Sequence, residues 1–231
     1  MALMEIEVRI DEVRARIQEA AARVGREASE IRILAAAKNR EVREIMAAVN
    51  AGIDLIGENT VQEALGKFEF LPDDLERHLI GTLQPNKVKA AVQLFDAVQS
   101  VTSWELAEAI DRQAAGLDAA YPVLIEVNPA DEATKRGLSI DDARSLASEV
   151  RELENLRVDG LMAMMPYAED LETLRPHFRA MKTLFDSLND RWDLEMRTLS
   201  MGMTHDYAIA VEEGATMVRL GTCLFGPRET P

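Results

Sequence analysis

One lysine ends a short apolar run, where it could form a covalent bond to a carbonyl compound. Lys38 follows the segment Ile33-Leu-Ala-Ala-Ala37. Strand alternation places Leu34, Ala36 and Lys38 on one face, and the small Ala36 would leave space beside the lysine inside a barrel. Partial burial there favours the neutral amine, which can attack an aldehyde to form a Schiff base. The alternative is a rim lysine that extends into solvent.

Two later segments are rich in hydroxyl groups and glycine: Leu199-Ser-Met-Gly-Met-Thr204 and Arg219-Leu-Gly-Thr222. In a barrel they would be the ends of strands seven and eight, where phosphate sites recur. The hydroxyls of Ser200 and Thr222 could contact an anion, as could backbone N–H groups at Gly202 and Gly221. A helix that opens near Thr204 would add its positive end. The alternative for each segment is an ordinary tight turn with Thr204 as a cap. Ser200 is not expected to be a nucleophile, because the G-x-S-x-G pattern and a nearby base are both missing.

Other polar residues at strand ends have two interpretations each. Arg219 lies on the opposite strand face from its apolar neighbours, so inside a barrel it needs an acceptor. That acceptor is either a structural carboxylate or a ligand atom. Asn59 ends the second apolar run and could cap the next helix or contact a ligand. The histidines share no metal-ligand spacing and are expected to be structural or solvated: His78, His177 and His205.

The elements that must position these residues alternate along the chain. Eight apolar runs are candidate strands: Ile31–Ala37, Ile53–Gly57, His78–Gly81, Ala97–Val101, Pro122–Val127, Val158–Met164, Met196–Met201 and Met217–Gly221. Amphipathic helical patterns separate them, and a further helix over Glu5–Arg23 precedes the first strand. This alternation predicts parallel β/α architecture, either a closed barrel or an open doubly wound sheet. Eight strands and the lack of a nucleotide-binding glycine fingerprint favour a (β/α)8 TIM-type barrel, as one domain over residues 1–231.

Several local signals predict helix boundaries. Thr60–Glu63 and Thr102–Glu105 are both typical of capping boxes. Pro85 fits the first turn of a helix, where its missing N–H costs nothing. Four glycines that follow helical runs are expected to be left-handed C-terminal caps: Gly25, Gly52, Gly116 and Gly214.

Composition narrows the class of protein. Cys223 is the only cysteine, which excludes an intramolecular disulfide and a cysteine-rich zinc site. Acidic residues outnumber basic ones by 41 to 26, for a net charge of −15. Such a surface repels nucleic acid and anionic membranes, so any bound anion must be held by a local pocket. No leader peptide or membrane span is evident. We therefore expect a cytoplasmic protein that binds neither nucleic acid nor membrane.

Taken together, the ordered motifs resemble the pyridoxal phosphate homeostasis protein family, whose fold is that of the N-terminal barrel of alanine racemase. The resemblance extends over nearly the whole chain. It is carried by the motifs ILAAAK ending at Lys38, Gly57-Glu-Asn-Thr-Val-Gln-Glu-Ala64, His78-Leu-Ile-Gly-Thr-Leu-Gln-Pro-Asn-Lys87, Val123-Leu-Ile-Glu-Val-Asn128, Lys135-Arg-Gly-Leu138, Gly160-Leu-Met162, Leu199-Ser-Met-Gly-Met203, Met217-Val-Arg-Leu-Gly-Thr222 and Phe225-Gly226.

The resemblance implies that pyridoxal 5′-phosphate is the cofactor. It implies that Lys38 holds the cofactor as an internal aldimine, that Asn59 lies beside it, and that Arg219 faces the pyridine nitrogen. It further implies that four residues hold the phosphate: Ser200, Met201, Gly221 and Thr222. The chain departs from the usual pattern at Asn39-Arg40-Glu41, Thr102 and Thr204-His205. These changes lie beside the residues expected to bind the cofactor. They bear on the affinity for the cofactor more than on its identity.

Three functions fit this reading. The first is a carrier or regulator of the pyridoxal phosphate pool, without turnover, acting as a monomer that exchanges the cofactor with apo-enzymes. The second is a pyridoxal-phosphate enzyme such as a racemase, with Tyr167 as second base. The third is a cofactor-free Schiff-base aldolase. An arginine at the pyridine nitrogen and the absence of a second domain favour the carrier. If Lys38 is not the attachment point, Lys87 and Lys135 are the next candidates.

Overall fold

The fold is a closed barrel of eight parallel strands, seen in a computed structural model that describes residues 2–132, 136–192 and 194–227. The strands pair in sequence order, and β8 closes on β1. They are β1 Arg32–Ala36, β2 Leu55–Glu58, β3 Glu76–Leu79, β4 Ala97–Val101, β5 Tyr121–Val127, β6 Leu156–Ala163, β7 Thr198–Ser200 and β8 Met217–Leu220. All eight predicted strands and the predicted barrel are confirmed, and closure excludes the open sheet.

Helices surround the barrel. Within the described residues they are α1 Ala2–Arg23, α2 Val42–Asn50, α3 Val61–Leu65, α4 Val88–Leu94, α5 Trp104–Ala114, α6 Ile140–Val150, α7 Arg175–Trp192, α8 Tyr207–Glu212 and α9 Thr222–Phe225. Short 3-10 helices occupy Ala28–Glu30, Phe68–Phe70, Pro85–Lys87 and Leu171–Leu174. The predicted N-terminal helix is confirmed as α1, which packs against α2, α8 and α9. No helix in the described ranges is long and apolar enough to span a bilayer.

The predicted helix boundaries are mostly correct. The Thr60 side chain accepts a hydrogen bond from the Glu63 N–H and caps α3, and Pro85 opens a 3-10 helix. The cap of α5 was assigned wrongly: Ser103, one residue beyond Thr102, accepts from Leu106. Three of the four glycine caps have positive φ: Gly25, Gly52 and Gly214. Gly116 does not, and the chain leaves α5 through turns and bends over residues 115–119.

The barrel interior combines an apolar cluster with a polar network. Leu34, Leu55 and Met217 form the apolar cluster and are almost fully buried. Gly57 faces them: a Cβ there would lie 2.4 Å from the Leu34 Cδ2 atom, so no larger residue fits beside that leucine. This cluster fills part of the interior beneath the C-terminal ends of the strands, which leaves the upper rim for function.

Candidate functional site

Lys38 lies directly after β1, at the C-terminal rim of the barrel, and its side chain is half-buried. It makes no hydrogen bond or ion pair with any residue in the described part of the chain. Small residues border this position. A Cβ added at Gly221 would meet the Ala36 carbonyl oxygen at 3.5 Å and the Ala36 Cβ at 3.7 Å. Small residues and an amine without a partner among the described residues therefore occur together at the mouth of the barrel.

The Lys38 backbone belongs to a tight turn. The Arg40 N–H donates to the Ala37 carbonyl at 3.0 Å, so residues 37–40 form a hydrogen-bonded β-turn. Asn39 has φ of +58°, whereas Lys38 has a negative φ. A positive φ at the third position alone is typical of a type II turn, where asparagine is tolerated better than most residues. The sequence departure at Asn39 thus falls on a residue suited to this conformation.

Charged side chains flank this turn on its outer side. The Lys67 Nζ donates to the Ala37 carbonyl at 2.9 Å and to the Glu58 Oε1 at 2.7 Å. The Glu63 Oε2 accepts from the Asn39 N–H at 3.2 Å. Burial raises the pKa of Glu58 to about 7, although Lys67 opposes this rise. Burial alone would also raise the pKa of Glu63, but the Asn39 N–H together with Glu58 and Lys67 lowers it overall.

A second set of polar side chains crosses the barrel interior and is connected by hydrogen bonds. The Ser200 hydroxyl donates to the Gln99 Oε1 at 2.7 Å and accepts from the Arg219 Nη1 at 2.8 Å. The Gln99 Nε2 lies 2.7 Å from the His78 Nδ1, and the His78 Nε2 lies 2.7 Å from the Glu76 Oε1. With Gln99 donating to Nδ1, the histidine carries its proton on Nε2. All five side chains thereby form one continuous chain of hydrogen bonds.

The described acceptors of Arg219 are backbone carbonyls and a hydroxyl, not the structural carboxylate that was one of its two predicted partners. Its guanidinium donates to the carbonyl of Ser200 and to the carbonyl of Ala163, both at 2.7 Å. No carboxylate among the described residues lies within ion-pair distance of it. Burial lowers the pKa of Arg219 to about 10, and the nearby carboxylates of Asp206 and Glu126 oppose this fall. The arginine is thus held by backbone carbonyls and the Ser200 hydroxyl. In the ladder it is the register partner of Leu34 on β1.

The two segments predicted to bind phosphate differ in availability. Thr222 is exposed, whereas Ser200 is fully buried and its hydroxyl is already engaged on both sides. Met201 is buried as well, and its N–H donates to the Met217 carbonyl at 3.1 Å. The expected helix opening near Thr204 was wrong, because α8 begins at Tyr207.

The reason for this later helix start lies in the preceding turn. Asp206 is the N-cap residue of α8, and its carboxylate accepts from the Met203 N–H at 2.6 Å. That bond holds residues 203–206 in a turn, so Thr204 is neither in the helix nor its cap. Thr204 instead contacts Cys223, whose N–H and Sγ lie 3.4 and 3.5 Å from the Thr204 hydroxyl.

The remaining candidates lie at or outside the rim. Asn59 is half-buried, and because Thr60 caps α3, the capping alternative for Asn59 is wrong. Tyr167 is 87% exposed in the segment after β6, which makes it a rim residue. Lys87 ends the 3-10 helix that follows β3, and Lys135 lies outside the described residues. No metal-binding cluster of His, Cys, Asp and Glu occurs in residues 2–132, 136–192 and 194–227.

Sequence reasoning missed four residues that the structure brings into the site: Gln99, Glu76, Glu58 and Lys67. Gln99 is the polar residue in the middle of the otherwise apolar run Ala97-Val-Gln-Ser-Val101, and this pattern was a usable signal. Glu58 likewise follows an apolar run, but it points away from the interior towards Lys67. The pairing of Glu58 with Lys67 depends on the packing of α3, which no local pattern reveals.

This geometry defines a parallel β/α barrel with a lysine after its first strand that has no partner among the described residues, and the sequence profile of the alanine racemase N-terminal domain matches residues 8–229. The pyridoxal phosphate homeostasis protein of Aquifex aeolicus is 42% identical over 222 residues, which cover 96% of this chain and 97% of that protein. The Escherichia coli protein of the same name is 36% identical and covers 97% of both chains. The chain therefore belongs to the pyridoxal phosphate homeostasis protein family.

Solved structures agree with this assignment. PipY of Synechococcus elongatus, determined with PLP bound, has a TM-score of 0.83 and 33% identity, covering 96% of this chain and all of that one. A protein of unknown function from Bifidobacterium adolescentis has a TM-score of 0.92 and 35% identity, covering 97% and 96%. The alanine racemase of Clostridium difficile, at 14% identity and a TM-score of 0.76, shares the fold over 57% of its chain.

Proposed function

We propose that this protein binds pyridoxal 5′-phosphate and takes part in cytoplasmic vitamin B6 homeostasis, with Lys38 as the point of covalent attachment. The observation that carries the proposal is the half-buried Lys38 at the barrel mouth, whose amine has no partner among the described residues and whose strand ends at Ala36, next to Gly221. The aldehyde of the cofactor supplies an electrophilic carbon. Lys38 supplies the amine that condenses with it, releasing one water. The PLP-bound relative and the names of the curated relatives support the choice of ligand.

The residues of this chain fit the remaining parts of the molecule. Arg219 presents a fixed positive charge inside the barrel and would face the ring nitrogen. Thr222 is exposed and supplies a hydroxyl, and Gly221 has no side chain that would keep a phosphate group away from the backbone. Asn59, whose side chain is not used to cap α3, would lie beside the ring. Ser200 and Met201 would act mainly by holding the strand ends, because Ser200 is engaged by Gln99 and Arg219.

The role that fits these residues best is that of a carrier or regulator without turnover. Arg219 is a poor proton donor to a ring nitrogen, which weakens the ring as an acceptor of carbanion electrons. Reversal of a stereocentre also needs a second acid–base group opposite the lysine. Tyr167 is the one candidate that the sequence offered, and its side chain is almost completely solvated. These features favour a carrier over a racemase.

Proton exchange and cofactor transfer test this role together. The holo-protein is incubated with L- and D-alanine in deuterated water, and separately with an apo-enzyme that requires pyridoxal phosphate. We expect no sustained α-deuteration and a measurable transfer of the cofactor. Deuteration that depends on both Lys38 and Tyr167 would contradict the carrier role and favour a racemase. A purified protein that lacks visible-range absorbance even after addition of pyridoxal phosphate would instead favour a cofactor-free Schiff-base aldolase.

A further inference from the structure

The turn that carries Lys38 is held on both sides by side chains from one short helical region. On the N-terminal side, the Lys67 ammonium donates to the Ala37 carbonyl at 2.9 Å. On the C-terminal side, the Glu63 carboxylate accepts from the Asn39 N–H at 3.2 Å. Glu63 and Lys67 are four residues apart, and their charged groups lie 3.6 Å from each other. The two peptide groups adjoining Lys38 are thus bound by one connected ion pair.

A buried carboxylate fixes the position of Lys67. Glu58 at the end of β2 is fully buried, and its Oε1 accepts from the Lys67 Nζ at 2.7 Å. Its second oxygen, Oε2, has no hydrogen-bond partner among the described residues. A buried acid of this kind is costly, and packing alone would be served better by an apolar side chain. The role of Glu58 is therefore to hold the Lys67 ammonium against the Ala37 carbonyl.

The turn itself requires external support. Asn39 adopts φ of +58°, a conformation that is unfavourable for residues other than glycine, even though asparagine tolerates it. The turn closes through the bond from the Arg40 N–H to the Ala37 carbonyl, which also accepts from Lys67. Removal of either charged contact would let this strained turn relax, and the direction of the Lys38 side chain would then vary.

We propose that Glu63 and Lys67, with Glu58 beneath them, are positioning residues that aim the Lys38 amine into the barrel mouth. None of the three needs to contact the cofactor. We call Glu58, Glu63 and Lys67 together the clamp. The clamp acts through the backbone of residues 37–39 and keeps the amine where an aldehyde bound over Ala36 and Gly221 can reach it. This inference rests on the proposed function, because it assigns a purpose to the orientation of Lys38.

The test compares clamp variants with conservative partners. Glu63→Ala and Lys67→Met remove one contact each, whereas Glu63→Gln retains an oxygen that can accept from the Asn39 N–H. Lys182→Met is the matched control, because Lys182 forms an exposed i,i+4 ion pair with Asp186 on α7. The double variant Lys67→Met/Glu58→Gln avoids an unpaired buried charge and replaces Lys67→Met if that protein does not fold.

Two readouts separate orientation from general stability. The first is hydrogen exchange of the Asn39 amide in the cofactor-free protein, followed by NMR. The second is the rate at which pyridoxal phosphate becomes fixed to Lys38 in the presence of cyanoborohydride, located by mass spectrometry. We expect Glu63→Ala and Lys67→Met to accelerate exchange at Asn39 and to slow labelling of Lys38 about tenfold, the effect of one lost charge-assisted hydrogen bond. Glu63→Gln should stay within about twofold of wild type, because it keeps the acceptor for the Asn39 N–H and loses only the 3.6 Å ion pair with Lys67. Lys182→Met should also stay within about twofold, because it lies outside the clamp.

The possible outcomes are distinguishable. Labelling of Lys38 at the wild-type rate in both clamp variants, with unchanged exchange at Asn39, would overturn the inference and leave the proposed function standing. A wild-type protein that is not labelled at Lys38 at all would refute the proposed function, and the positioning role with it. Slow labelling of both clamp variants, with the control unaffected, supports the clamp.

Discussion

The polar residues on the two sides of the barrel differ in how far their hydrogen bonds are satisfied. On the side formed by β3, β4, β7 and β8, Gln99, Ser200 and Arg219 join His78 in a buried network in which each of the four forms at least one hydrogen bond. On the β1 and β2 side, the Lys38 amine has no described partner, and a carboxylate oxygen of Glu58 is unsatisfied. The first side is held in place by its hydrogen bonds, and the second leaves the Lys38 amine available to react.

The difference suggests how one barrel can both fold stably and react. A buried hydrogen-bond network whose polar groups all have partners is rigid, because breaking it leaves unpaired polar groups at a high cost in free energy. A lysine that must bond to a ligand cannot be satisfied in advance by the protein. Its orientation therefore comes from its backbone, through the turn at Asn39, and not from partners of its own amine. Substitutions on the two sides should consequently affect different measurements.

The largest effect on stability is expected at the centre of the satisfied side. Gln99→Leu would leave the Ser200 hydroxyl and the His78 Nδ1 without their buried partner. We expect a loss of about 2–5 kcal/mol in the free energy of unfolding, measured by urea denaturation. The comparison fails if this variant is as stable as wild type, because the network would then contribute nothing that an apolar side chain cannot.

The next effect separates two hydroxyls that the sequence grouped together. Thr222→Val removes an exposed hydroxyl and should weaken binding of pyridoxal phosphate by about 1.5–3 kcal/mol, with little change for unphosphorylated pyridoxal. Ser200→Ala should chiefly lower stability, because Arg219 and Gln99 both lose a partner. Isothermal titration with both ligands, beside urea denaturation, measures the contrast. Identical behaviour of the two variants would contradict it.

A smaller, pH-dependent effect is expected from Glu58 on the reactive side. Its pKa is raised from 4.5 to about 7 by burial, so the folded state holds a proton that the unfolded chain releases between these values. Stability should therefore fall as pH rises through about 7. Relative to wild type, Glu58→Gln should gain about 1–3 kcal/mol between pH 5 and pH 8, since one pKa unit corresponds to about 1.4 kcal/mol. A pH-independent difference in unfolding free energy would argue against a buried, titrating Glu58.

The smallest effect on stability is expected at Lys38 itself. Its amine has no described partner and its side chain is only half-buried, so Lys38→Ala should change the free energy of unfolding by no more than about 0.5 kcal/mol. Urea denaturation beside Gln99→Leu provides the measurement. A loss comparable with that of Gln99→Leu would mean that Lys38 is a structural residue, and the contrast between the two sides would disappear.

Much of the fold follows from local patterns in the sequence. The apolar runs and their spacing were enough to predict eight strands in a closed barrel, because each parallel strand is buried on both faces. The helix start after β7 was misplaced, since the bond between Asp206 and the Met203 N–H is a matter of turn geometry that the Thr204 signal conceals. Likewise Ser103 and Thr102 are equivalent capping residues by chemistry, and only the entry angle of α5 distinguishes them.

The site was predictable in part, for a similar reason. Lys38 and Arg219 stand out because charged residues are rare at the ends of buried strands. The partners of Arg219 could not be predicted, because Ala163 and Ser200 contribute carbonyl oxygens that any sequence possesses. The link between Lys67 and the Ala37 carbonyl depends on how a five-residue helix packs over the rim, and it leaves no trace in hydrophobic periodicity.

Borohydride reduction followed by peptide mass spectrometry tests most directly whether Lys38 holds pyridoxal phosphate. The purified protein is saturated with pyridoxal phosphate, reduced and digested, beside Lys38→Ala treated identically. We expect one stoichiometric phosphopyridoxyl group on the peptide that contains Lys38, and its loss in the variant. Modification that persists in Lys38→Ala, or that falls on Lys87 or Lys135 in the wild-type protein, would contradict the assignment.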